Sequence, residues 1–137
     1  MHSPFDVIVV CADPGFQGLI CHLLGGRKLR VLPITNVADA LGPIRAVPPR
    51  LLILEWTLRD LAVIDFLIKI SESNSWGQMA VYFVCNHELT ASEAFQMQTL
   101  GTDMSFLKQN LLADPGLETF LNGVDELFQL KPQEEAS

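Results

Sequence analysis

Six residues with polar chemistry stand at or just past the end of a short apolar run: Cys11, Asp13, Glu55, Cys85, His87 and Lys108. Thiolates, imidazoles and carboxylates are zinc ligands, and a thiol beside an imidazole is a nucleophile with its base. The spacing argues against both. The cysteines, at 11, 21 and 85, are odd in number and far apart. They make neither a structural zinc pattern nor a disulfide framework. Cys85 and His87 are two positions apart at a strand exit, where side chains rarely point together. Three reduced thiols acting as small core or edge residues is the simpler reading, with His2 and His22 a terminal and a surface residue.

The elements that must carry these residues follow from the apolar pattern. A chain of 137 residues with 49% apolar residues and a mean hydropathy of +0.28 fills one domain with one core. The runs Val7–Ala12 and Leu51–Leu54 are too short to cross a bilayer. The N-terminus has no basic segment leading into a long apolar one, so the expectation is a cytoplasmic protein without a secretory signal. The net charge of −7, and the lack of any Lys or Arg between Lys69 and Lys108, exclude the basic footprint that nucleic-acid binding needs.

Five strands are predicted, at Phe5–Cys11, Leu29–Pro33, Leu51–Leu54, Met79–Val84 and Met104–Leu107. Each is a short continuous apolar run, as suits a parallel sheet covered on both faces. Helices alternate with them. Asp13-Pro14 opens the first, whose apolar face is Phe16, Leu19, Ile20, Leu23 and Leu24, and Gly25-Gly26 ends it. Asn36 caps the second (Val37, Leu41, Ile44), which Gly42-Pro43 should shorten or kink. Val63, Phe66, Leu67 and Ile70 mark the third, followed by a polar loop over 71–75. Thr90 and Glu93 form a capping box for the fourth, closed by Gly101. Asp114-Pro115 opens the fifth, with Leu117, Phe120, Leu121, Val124 and Phe128 inward. Residues 131–137 read as a disordered polar tail. This alternation is an α/β doubly wound sheet, whose sites form where strands end.

At those ends the chain resembles a response-regulator receiver domain of the flavodoxin-like, CheY type, from about Phe5 to Leu130. Val9-Val10-Cys11-Ala12-Asp13-Pro14 resembles the first strand and its acidic cluster. Leu51-Leu52-Ile53-Leu54-Glu55-Trp56 resembles the strand that ends in the phosphoacceptor aspartate. Val84-Cys85 resembles the fourth strand, which ends in Thr or Ser, and Phe106-Leu107-Lys108 the fifth with its lysine. The resemblance implies a (βα)5 fold with strand order 2-1-3-4-5. Strand three then separates Cys11 from Cys85 by about 10 Å, at about 4.8 Å per strand, too far for a disulfide.

The departures from the pattern imply a degenerate pseudo-receiver. Cys11 and Ala12 stand where two acids hold Mg²⁺, and only Asp13, at the next place, remains acidic. Glu55 stands at the phosphoacceptor place, Cys85 at the Thr/Ser place and Ser105 at the aromatic switch place. Gln109 replaces the proline after the lysine, and Arg59 and Val63 replace Pro and Gly after the acceptor; Lys108 alone matches outright. Mg²⁺ wants hard oxygen ligands, which Cys11 and Ala12 lack. Glu55 carries its carboxylate roughly 1–1.5 Å, one C–C bond, further out than Asp. The expected function is non-catalytic: protein–protein interaction in signalling, with no cofactor, no metal, no nucleic acid and no membrane. A histidine kinase, another signalling domain or a second copy is the expected partner. Two alternatives stay open: an unorthodox receiver still phosphorylated in a phosphorelay, and the N-terminal regulatory or dimerisation domain of a transcription regulator.

Two further readings concern side chains. Glu55 and Lys108 form either a fixed ion pair or two solvated groups worth roughly 0–1 kcal/mol. The nearly uncharged surfaces of helix one (Gln17) and helix four (Gln96, Gln98) are candidate interfaces.

Overall fold

A computed structural model describes residues 5–56, 61–72, 79–99, 104–113 and 115–129. Ten elements alternate: β1 Val7–Val10, α1 Pro14–Gly25, β2 Val31–Ile34, α2 Val37–Ala46, β3 Leu51–Trp56, α3 Leu61–Ser71, β4 Ala80–Cys85, α4 Ala91–Thr99, β5 Met104–Leu107 and α5 Gly116–Leu127. The strands form one parallel sheet in the order β2-β1-β3-β4-β5. This is the flavodoxin-like arrangement expected. A 3-10 turn at Lys108–Leu112, absent from the predicted elements, joins β5 to α5.

Because side chains alternate along a strand, the central strands feed two cores. Ile8, Val10, Leu52, Leu54, Val81, Phe83 and Cys85 pack with Ala40 and Ile44 of α2 and Phe66, Leu67 and Ile70 of α3. Val7, Val9, Cys11, Leu51, Ile53, Tyr82 and Val84 pack with Phe16, Ile20 and Leu24 of α1 and Phe120 and Val124 of α5. The rings of Tyr82, Phe106 and Phe120 meet at tilted and edge-on angles, with centroids 5.4–6.3 Å apart.

Helix starts obey local chemistry where the sequence supplies a cap. Asp13 Oδ1 accepts from the Gly15 and Phe16 N–H groups, and Asn36 Oδ1 from the Asp39 N–H. Thr90 and Glu93 close a reciprocal box. The N-cap position of α5 falls one residue later than the sequence pattern placed it. Its N-cap is Pro115, with no side-chain bond, and Asp114 lies outside the described residues. The first residue of α5 has to be glycine, because a Cβ at Gly116 would clash with the Asn110 carbonyl.

Several expectations are corrected. Leu19 is exposed. The buried arc of α1 centres on Ile20 and Leu24, and Leu19 lies about 100° round the helix from Ile20. Gln17, expected at the surface of α1, is 8% exposed. Its Nε2 donates to the carbonyls of Val9 and Ile34 at 3.1 and 2.9 Å, tying α1 to the ends of β1 and β2. At the end of α1, Gly26 stays right-handed (φ −63°), and Lys28 takes the left-handed turn (φ 62°). Pro43 does not stop α2, which runs one turn further to Ala46. The residue its ring crowds, Asp39, is exposed and has room to adjust. Arg59, Gly101, loop residues 73–75, the 131–137 tail and the side chains of Val63 and Gln96 lie outside the described set.

Candidate functional site: a lysine clamp at the sheet edge

Register brings the site together. Val10 pairs with Leu54, so Cys11 and Glu55 follow side by side at the carboxyl edge of the sheet. Glu55 pairs with Val84 and Val84 with Phe106, and Lys108 begins the turn two residues past Phe106. Cys11, next after β1, continues the ladder by donating its N–H to the Ile34 carbonyl at 2.9 Å.

Lys108 Nζ lies 3.0 Å from Glu55 Oε2 and 2.7 Å from Asp13 Oδ2. It also sits 5.0 Å from the centroid of the Phe16 ring, a cation–π distance. The other oxygen of each carboxylate is engaged as well. Glu55 Oε1 accepts from the Ala12 N–H at 3.1 Å, and Asp13 Oδ1 caps α1. One ammonium thus joins the β1–α1 junction, β3 and the β5 exit. Hydrogen bonding to Lys108, ahead of the capping N–H groups, holds the Asp13 carboxyl below its usual pKa. Burial by itself would lower the Lys108 pKa, but the hydrogen bonds to Asp13 and Glu55 outweigh it and raise it.

Asp13 is the residue that sequence reasoning undervalued, treated there as a helix cap and a minor acid. The signal was present. A capping aspartate uses one oxygen on the helix, and its second remained free beside a sheet edge that has a lysine.

Of the cysteines, Cys11 borders this cluster, its thiol interacting with Glu55 and Lys108, and Cys85 is held apart from it. Cys11 packs on the α1–α5 side of the sheet and Cys85 on the α2–α3 side, since across the intervening β3 Cys11 lies level with Val84, one residue before Cys85. Cys11 and Cys85 thus stand at the same carboxyl edge of the sheet but face its opposite sides. Both thiols are pushed up to about 11, chiefly by burial, and Cys11 Sγ donates to the Asp13 carbonyl at 3.5 Å. All three cysteines are free. Among the described residues no three His, Cys, Asp or Glu side chains group as a metal site, and no helix is long and apolar enough to cross a membrane. His87 Nε2 instead stands 3.8 Å from Glu93 Oε1. Ser105 and Gln98 are exposed.

No protein-family model matches the chain, and no curated protein matches it by sequence. Solved structures do match. The non-phosphorylated HemR receiver domain from Leptospira biflexa aligns over 92% of this chain and 95% of its own, at 20% identity and a TM-score of 0.71. The signal receiver domain of the DNA-binding response regulator merR from Colwellia psychrerythraea 34H covers 89% and 98%, at 17% and 0.72. The chemotaxis protein CheY4 of Vibrio cholerae covers 88% and 96%, at 12% and 0.71. The chain has the fold of response-regulator receiver domains.

Proposed function

We propose that the protein is a receiver-fold signalling module that takes no phosphoryl group and works by binding other proteins. The observation that carries this reading is the clamp. Lys108 Nζ is shared between Asp13 and Glu55 at 2.7 and 3.0 Å, so both carboxylates at the sheet edge already hold a cation and a backbone donor.

The residues present do not fit the Mg²⁺ that the fold family implies. Where two acids would stand, Cys11 offers a buried thiol whose pKa is raised to about 11, and Ala12 a methyl group. Mg²⁺ demands near-octahedral oxygen ligands. Phosphoryl transfer depends on metal and positioned cations to neutralise developing charge. An ammonium fixed against the acceptor carboxylate stabilises its resting charge instead.

The test is incubation with acetyl phosphate, with and without Mg²⁺, read by intact mass and by phosphate-affinity electrophoresis. No adduct is expected in either condition. An adduct that disappears in Glu55→Ala would overturn the proposal and restore the phosphorelay alternative.

A further inference from the structure

We infer that the amino edge of the sheet, at the end opposite the lysine clamp, is a docking surface for the chain's own carboxyl-terminal segment, residues 130–137, held there by Glu134 and Glu135.

Register sets a row of charges along this edge. Val7 pairs with both Val31 and Leu51, so Asp6 stands between Arg30 and Arg50 at the starts of β2, β1 and β3. Two of the basic side chains here already have a carboxylate. Arg30 pairs with Asp6 at 3.2 Å and Arg27 with Asp125 at 2.6 Å. Two others have none. Among the described residues no carboxylate comes within ion-pair distance of Lys28 or Arg50. Both are exposed, and Lys28 stands in the left-handed turn between α1 and β2. Asp6 does not neutralise them, because both of its oxygens accept from Arg30.

The helix that leads to the segment ends at the same edge. Arg50 fastens the last turn of α5: its Nη2 donates to the Leu127 carbonyl at 2.8 Å, and the guanidinium lies 5.2 Å from the Phe128 ring centroid. Gln129 then turns left-handed (φ 57°) and donates its N–H to the Glu126 carbonyl at 3.2 Å. The chain therefore leaves the helix beside Arg50. The β2 side of the edge, where Lys28 stands, is about 10 Å away, two strand spacings of about 4.8 Å. Glu134 follows Gln129 by five residues, a reach of at most about 17 Å, so Glu134 and Glu135 span the row.

Charge and tether select this occupant. Residues 130–137 carry Glu134 and Glu135 against Lys131. Lys131 falls near the acidic last turn of α5, where Glu126 is exposed, and the two glutamates fall where two cations lack a carboxylate. An exposed ion pair is weak by itself. A segment joined to its site meets it at millimolar effective concentration, an advantage that an acidic segment of another protein does not have.

The test is amide NMR of the full chain against a variant carrying Glu134→Lys and Glu135→Lys. Both changes lie beyond the last helix, so the fold is kept. Charge reversal is expected to shift the amides of residues 28–30 and 50, to lower the order parameters of residues 133–136, and to leave residues 105–108 unmoved. The difference should be lost as the Debye length falls from about 30 Å at 0.01 M salt to about 3 Å at 1 M. Adding Lys28→Glu to the reversed segment should restore the order parameters. The inference is overturned if reversal leaves residues 28–30 and 50 unmoved, if the difference survives 1 M salt, or if Lys28→Glu restores nothing. Shifts that fade on dilution would assign the contact to a second copy and overturn it as well. So would a free polyglutamate peptide that moves these amides equally in both proteins, since the edge then takes an acidic partner and not its own segment.

Discussion

Lys108 Nζ stands 3.0 Å from Glu55 Oε2 while the other oxygen of Glu55 accepts from the Ala12 N–H at 3.1 Å. Glu55 therefore does not swing free at the sheet edge. Its side chain is 11% exposed and that of Lys108 21%, between the solvated pairs that contribute almost nothing and the buried ones whose rupture is costly.

Lys108→Met should accordingly destabilise the fold by about 1–3 kcal/mol, a value between those two limits, because it leaves Asp13 and Glu55 facing each other without a cation. Adding Glu55→Gln removes one of the two charges, so the double variant should lose less than the sum of the singles. Urea unfolding of all four species gives the coupling. A coupling under about 0.3 kcal/mol, within ordinary additivity, would mean that Lys108 and Glu55 act as independent solvated groups.

Gln17 and Gln98 should separate sharply, although the sequence makes them look alike. Gln17→Leu removes two buried hydrogen bonds, one to the Val9 carbonyl and one to the Ile34 carbonyl, which keeps only the Cys11 N–H as a donor, at about 1–3 kcal/mol. Exposed Gln98→Arg should stay within about 0.5 kcal/mol. Equal thermal melting points for the two variants would contradict the buried position of Gln17.

That contrast shows what was legible in the sequence. Strand positions, helix order and the sheet architecture follow from continuous apolar runs and caps such as Asp13 and Thr90, which act locally. Register places Glu55 next to Cys11, so the Glu55–Lys108 pair could be foreseen once the strand order was supposed. Gln17 could not be placed, because a glutamine satisfying two carbonyls at a sheet edge has the same local pattern as one facing water. Neither could the division of Cys11 from Cys85, which depends on one residue of register between strands far apart in the chain. The β5–α5 corner escaped for the same reason, since the demand for glycine at 116 comes from the Asn110 backbone and not from its neighbours.

Gly116→Ala tests that corner. A Cβ at 2.1 Å from a backbone oxygen forces the 3-10 turn and α5 apart, and overpacking of this kind costs about 1–3 kcal/mol. Gly18→Ala, where a Cβ meets nothing within 4 Å, should instead stabilise α1 by about 0.5–1 kcal/mol through helix propensity. Chemical denaturation of the pair should therefore move midpoints in opposite directions, and parallel shifts would contradict the close approach.

Stability should fall at both ends of the pH scale for different reasons. Asp13 is held below its ordinary value of 3.8, first by its hydrogen bond to Lys108. Asp6 is also low: burial would raise it, but hydrogen bonding to Arg30 outweighs this. A folded pKa below the unfolded one contributes stability above the unfolded value, and that stability is lost as pH drops through the folded value. The acid limb should thus begin near pH 4, and Lys108→Met should shrink it. The alkaline limb belongs to the thiols. Cys11 and Cys85 ionise near 9.0 when unfolded and near 11 when folded, with burial the main cause. The unfolded chain therefore releases protons first, and stability declines as pH rises from about 9 to 11. The loss is at most about 2–3 kcal/mol per thiol at 1.36 kcal/mol per unit. Cys85→Ala shifts the whole curve downward through lost packing but should flatten its slope between pH 9 and 11, by less than half because burial also raises the Cys21 thiol. Urea midpoints taken across that interval check this, and an unchanged slope would show that Cys85 does not titrate differently in the folded state.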